Sequence, residues 1–172
     1  MRSEIATEYL REQLRSAFDR VWRTTLELEL EEFFPNESDV LALPWLGSVA
    51  WIGGSWTGNV RIGMPRELAS SVTGKLLSLE KPSDAQILDA LRELSNMTAG
   101  NLKSALPGRC GLATPGNFTV RSIAEVRDEF SPIMISWYRS SGFPLFLTIS
   151  ALHPAAVEGE GVTPPHRPQD PE

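Results

Sequence analysis

The sequence predicts an α+β domain of two layers, with helices packed on one face of a largely antiparallel sheet. Three observations carry that expectation. Apolar residues recur at steps of three and four in the first and middle parts of the chain, short alternating segments separate and follow them, and glycine-containing turns join the alternating segments. At 172 residues the chain has room for one domain of ordinary size. An apolar content of 41% against 22% charged residues supports a packed core.

In chain order, Leu10, Leu14, Ala17, Phe18, Val21 and Trp22 mark one face of an amphipathic helix running from Ile5 to about Leu26. Leu26 to Glu31 then alternates strictly between leucine and glutamate, which favours a half-buried strand over the alternative that the helix runs on into it. Ser48 to Gly53 and Trp56 to Met64 read as a β-hairpin with Gly53-Gly54 between the strands. Pro65 suits a helix start, and Leu68, Val72 and Leu76 follow at four-residue steps through Arg66 to Leu77. Ser83-Asp84-Ala85-Gln86 has the spacing of a capping box, so a second long helix begins there and stops before Pro107-Gly108. Four further segments are β-rich: Gly111 to Ala113, Phe118 to Ile123, Pro132 to Tyr138 and Leu145 to Ala151, the last two joined around Ser140-Ser141-Gly142. The domain is expected over residues 1–152. Residues 153–172 are rich in proline and glycine and poor in large apolar groups, the composition of a disordered tail.

Charge and residue counts narrow the function. A formal net charge of -6 repels phosphate backbones and anionic lipid, so neither nucleic acid nor membrane is an expected partner. No apolar run spans a bilayer and the first residues do not resemble a signal peptide, which gives a cytoplasmic address as the expectation. The one cysteine, Cys110, has no His, Lys or second Cys beside it and reads as a buried thiol, and His153 and His166 fall at or in the tail. The glycines from Gly53 to Gly58 are not followed by Gly-Lys-Ser/Thr, so they belong to a turn and not to a phosphate loop. Of the tryptophans, Trp45, Trp51 and Trp56 are expected to cover a core or an interface. The Asn-x-Ser/Thr matches at Asn36, Asn96 and Asn117 are taken as chance.

The helix after Ser83 holds the chemistry. Wound at about 100° per residue, Ile87, Leu91, Leu94, Thr98, Leu102 and Ala105 share the face turned to the sheet, while Asp89, Glu93, Asn96, Gly100 and Lys103 share the opposite one. Glu93 and Asn96 are neighbours on that exposed face. Gly100 costs about 1 kcal/mol relative to alanine in a helix interior, and room for a partner surface is one reason for it.

The run from Asp89 to Lys103, with Glu93-x-x-Asn96 followed by Gly100-Asn101, resembles the signature helix of the CheX/CheC chemotaxis phosphatases. The resemblance extends upstream through Gly58 to Ile62 and downstream through Gly111 to Pro115. It implies a phosphatase that dephosphorylates the aspartyl phosphate of a CheY-like response regulator. By position, Asn96 would orient the attacking water and Glu93 would pair with the regulator's lysine, with Asp89, Gly100 and Lys103 contacting the partner beside them. A carboxamide suits that task because it both donates and accepts hydrogen bonds. No cofactor of its own is implied, since the regulator supplies the magnesium. One Glu-x-x-Asn copy, with Glu67-Leu68-Ala69-Ser70 where a second would stand, is the CheX-like arrangement and implies a homodimer joined through sheet edges. The alternative of another class is a non-catalytic module that docks or sequesters a regulator or a flagellar switch component.

Overall fold

A computed structural model of the chain describes residues 2–36, 44–122, 124–129 and 132–151. The first helix, α1 (Arg2–Arg20), runs into a π-helical turn at Val21–Thr25. Its apolar stripe is buried as the spacing predicts, with Leu14, Phe18 and Trp22 fully enclosed. Trp22 Nε1 donates to Ser140 Oγ at 2.9 Å, and that hydroxyl donates in turn to the Glu29 carbonyl at 2.7 Å. This chain of bonds fixes the end of α1 to the sheet.

The alternating segment Leu26 to Glu31 does not form the expected strand. Only Glu31–Glu32 pairs, as β1. Leu26 is buried and Leu28 and Leu30 pack against the core, but Glu27 is left-handed at φ 54° and Leu28 N–H returns to the Trp22 carbonyl. The alternation therefore records which side chains point inward, with no neighbouring strand among the described residues to complete a ladder.

The sheet follows in β2 (Trp45–Gly54), β3 (Gly58–Met64), β4 (Cys110–Leu112), β5 (Gly116–Val120), β6 (Met134–Ser140) and β7 (Phe143–Ala151). The spatial order is β1-β6-β7-β3-β2-β4, with β5 also on β2, and every pairing is antiparallel. The β2–β3 hairpin forms, but Gly53-Gly54 is not its turn. Those glycines continue β2 because Gly111 and Cys110 of β4 pair with them, and the chain reverses at Ser55 to Thr57.

Helices α2 (Arg66–Leu77) and α3 (Asp84–Lys103) lie on the same face as α1. The capping box at α3 is complete: Gln86 N–H donates to Ser83 Oγ and Ser83 N–H to Gln86 Oε1. Inward residues of β2 and β3 alternate as the pleat requires, so Ala50, Ile52, Val60, Ile62 and Met64 meet Leu68, Val72, Ile87, Leu91 and Leu94 in the main core.

The other face of the sheet has a smaller cluster of Trp45, Val120, Val126, Trp137 and Phe146. Trp45 stacks on Phe146 at 6.3 Å between ring centroids, with Trp137 set edge-on to both. The Phe146 ring lies directly on Gly63 and the Phe118 ring on Gly47, where a Cβ would collide with them. Beside the aromatic cluster, Arg61 bonds Asn59 and Ser150 and lies over the Trp51 ring at 5.9 Å. Burial lowers the pKa of that guanidinium from its ordinary value. The three tryptophans of this region thus have different surroundings: Trp45 is buried, Trp56 packs partly against the main core and Trp51 is 37% exposed.

Cys110 is half-buried rather than enclosed, its Sγ 3.9 Å from the carbonyls of Trp56 and Pro107. The domain end at 152 and the expected tail at 153–172, with His153 and His166, lie outside the described residues. Among the described residues no helix is long and apolar enough to cross a membrane.

Candidate functional site

Helix α3 crosses β2, with β3, β4 and β5 beneath it and α1 and α2 alongside. Ile87, Ala90, Leu91, Leu94, Thr98, Ala99 and Leu102 are buried along its inner side. This is the stripe read from the sequence, except that Ala105 falls past the helix end and is half-buried. The two hydroxyls on the inner side are satisfied within the helix: Thr98 Oγ1 donates to the Leu94 carbonyl at 2.8 Å and Ser95 Oγ to that of Arg92 at 3.0 Å.

The opposite side presents the predicted residues in one line. Glu93 and Asp89 are exposed, and Asn96, Gly100 and Lys103 are half-buried. Asp89 is committed to an ion pair with Arg92, one turn along. Glu93 and Asn96 differ from it, since neither side chain has a hydrogen bond or ion pair among the described residues. A carboxylate and a carboxamide one turn apart, both unengaged, offer an incoming molecule one negative charge and one donor–acceptor group. A Cβ added at Gly100 would stand 3.8 Å from Leu112 Cδ1 of β4. The line of residues therefore borders the β4–β5 edge of the sheet, which the helical wheel alone does not reveal.

Two residues that hold this helix in place went unrecognised in the sequence. Ser48 of β2, fully buried, donates from Oγ to the Leu91 carbonyl at 2.6 Å. Asn117 of β5 donates from Nδ2 to the Leu88 carbonyl at 3.1 Å and to that of Gly47 at 3.4 Å. Ser48 had one signal, a polar residue at an inward position among Leu46, Ala50 and Ile52; Asn117 had none beyond its place in a strand. On α2, Glu67 is exposed and Ser70 half-buried, so that helix has no carboxamide at the corresponding place. A cavity of about 350 Å³ lies elsewhere, between α1 and β6, and its arginines Arg15 and Arg23 are already paired with Glu32, Asp19 and Glu29.

A family model described as chemotaxis phosphatase CheX matches residues 46–136, which include the whole of α3. No curated protein matches the sequence. Among solved structures, the chain is similar to the chemotaxis protein CheX of Vibrio vulnificus, at 19% identity and a TM-score of 0.64 over 83% of this chain and 96% of that one. It is similar to a CheC-like superfamily protein of a Shewanella species at 22% identity and a TM-score of 0.62, over 82% and 96%. It is also similar to CheX in the CheX–CheY–BeF3–Mg complex of Borrelia burgdorferi, at 19% identity and a TM-score of 0.62, over 83% and 97%.

Proposed function

We propose, since this chain belongs to the CheX family of chemotaxis phosphatases, that it hydrolyses the aspartyl phosphate of a CheY-like response regulator. The observation that carries the reading is the unengaged Glu93–Asn96 pair on the outer side of an otherwise well-anchored helix. The similar CheX of Borrelia burgdorferi is seen in complex with CheY, beryllofluoride and magnesium, which supports both the partner and the idea that the metal sits with the regulator's phosphorylated carboxylate.

In this reading the regulator brings the aspartyl phosphate and magnesium, and this chain brings Asn96. Its side-chain oxygen accepts a hydrogen bond from a water in line with the scissile P–O bond, and its amide group donates to an oxygen nearby. The water oxygen bonds to phosphorus, the bond from phosphorus to the aspartate oxygen breaks, and inorganic phosphate and a free carboxylate result. The water's proton leaves with the phosphate or to solvent. An amide is too weak a base to take it, so the rate gain comes from orientation and from charge stabilisation already present in the regulator. Glu93 pairs with a lysine of the regulator and sets the register of docking, with Asp89, Gly100 and Lys103 contributing contact around it. A homodimer through a sheet edge and a cytoplasmic location belong to the same reading. Sedimentation at micromolar concentration checks the dimer, and a monomer would remove it.

The decisive experiment follows decay of a phosphorylated CheY-like regulator from the same genome, with catalytic amounts of wild type, Asn96→Ala or Glu93→Ala. Wild type accelerates decay, Asn96→Ala binds the beryllofluoride-activated regulator without accelerating it, and Glu93→Ala loses binding. Binding by wild type without acceleration would overturn the phosphatase reading in favour of a docking module. Acceleration undiminished by Asn96→Ala would remove that residue from the mechanism.

A further inference from the structure

Ser48 and Asn117 tie α3 to two different strands of the sheet through side-chain bonds to its backbone. The two residues face each other across the β2–β5 ladder, and both donate to carbonyls of the turn that immediately precedes Glu93, Leu88 and Leu91. In an α-helix each of those carbonyls already accepts a backbone N–H from four residues on. Side-chain donors from two strands therefore add a second bond to each, and together they fix both the rotation and the axial position of α3 over the edge.

That position matters if the partner touches more than the helix. A helix of 20 residues is about 30 Å long and about 10 Å wide, so its exposed strip covers roughly 300 Å², against about 800 Å² per partner in a standard interface. The footprint of a docked protein has to spill onto the neighbouring surface. The neighbour on the side of Gly100 is β4, through Leu112, and β4 and β5 are joined by Ala113, Thr114 and Pro115, of which the first two are exposed. The depth at which Asn96 enters the regulator is then set by where α3 sits relative to that shoulder.

We propose that Ser48 and Asn117 are positioning residues for phosphoryl hydrolysis, clamping α3 to the β4–β5 shoulder so that a regulator seated on both meets the Asn96 carboxamide at a fixed depth. The proposal rests on the phosphatase reading above. A long Glu–Lys contact tolerates a displacement of a few tenths of an ångström, whereas an aligned water does not, so loosening the clamp separates rate from affinity.

The test compares Ser48→Ala and Asn117→Ala with wild type in regulator dephosphorylation, together with their binding to the beryllofluoride-activated regulator and their thermal unfolding. The expected result is a kcat lower by about tenfold or more, with Kd changed by less than about threefold, for both variants at a temperature where both are folded. Two results overturn the clamp: wild-type kcat in both variants, or equal losses of kcat and affinity accompanied by unfolding, which marks a fold defect only. Wild type is compared first with the regulator alone. Absence of acceleration there defeats the phosphatase reading, and the clamp with it, before any variant is read.

Discussion

Replacing Gly100 by alanine separates the stability of α3 from its use as a docking surface. Gly100 lies inside a helix that runs from Asp84 to Lys103, where exchange of glycine for alanine stabilises by about 1 kcal/mol through reduced backbone entropy in the unfolded chain. The gain is realised only if the methyl fits, and here its nearest neighbour outside the helix backbone is Leu112 Cδ1 at 3.8 Å, an ordinary van der Waals contact. No steric cost offsets the propensity. For a domain of this size an increment of about 1 kcal/mol raises Tm by about 3 °C. The same methyl adds bulk to the line formed by Glu93 and Asn96, so Gly100→Ala is expected to be more stable in thermal and denaturant unfolding yet to bind the activated regulator several-fold more weakly. A destabilised variant would refute the packing argument at Leu112. A stabilised variant with unchanged affinity would show that the partner does not approach Gly100.

Two further expectations concern the fold around the site. Gly63→Ala places a Cβ into the Phe146 ring and should cost about 1–3 kcal/mol through overpacking of the far-face aromatic cluster; a denaturant midpoint unchanged from wild type would mean that cluster yields freely. Tyr138 is buried against Phe18, and burial, the largest influence on it, raises its phenol above the ordinary 10.0. A raised folded-state value gives a contribution that is complete below pH 10.0 and is lost as pH climbs through the folded value. Ultraviolet titration of tyrosinate should therefore show a late step that Tyr138→Phe abolishes, and survival of that step in the variant would assign it elsewhere.

Much of this architecture is legible in the sequence because it rests on local periodicity. The stripe from Ile87 to Leu102 and the capping box at Ser83 and Gln86 are properties of one continuous helix, so spacing alone orients them. Glu93 and Asn96 fall on the outer side by the same arithmetic, although their chemical meaning came from a resemblance and not from spacing. Periodicity misleads where a pattern has two physical causes. Leu26, Leu28 and Leu30 alternate because they pack inward, yet a strand also needs a neighbour, and only Glu31–Glu32 finds one in β6. Gly53-Gly54 has the composition of a turn, but β4 arrives from more than fifty residues later to extend β2 through it.

The sequence by itself determined the fold class, through the succession of helical and alternating patterns, and also the helix that displays the polar pair and which of its sides is outward, through the hydrophobic pattern within one segment. Tertiary structure alone decided what that helix rests on and what lies beside it. The pairing of Ser48 with Asn117, their bonds to Leu91 and Leu88, and the approach of Leu112 to Gly100 join different elements of the chain. Such contacts depend on strand register and on how helices settle over a sheet, and no periodicity within a single segment encodes them.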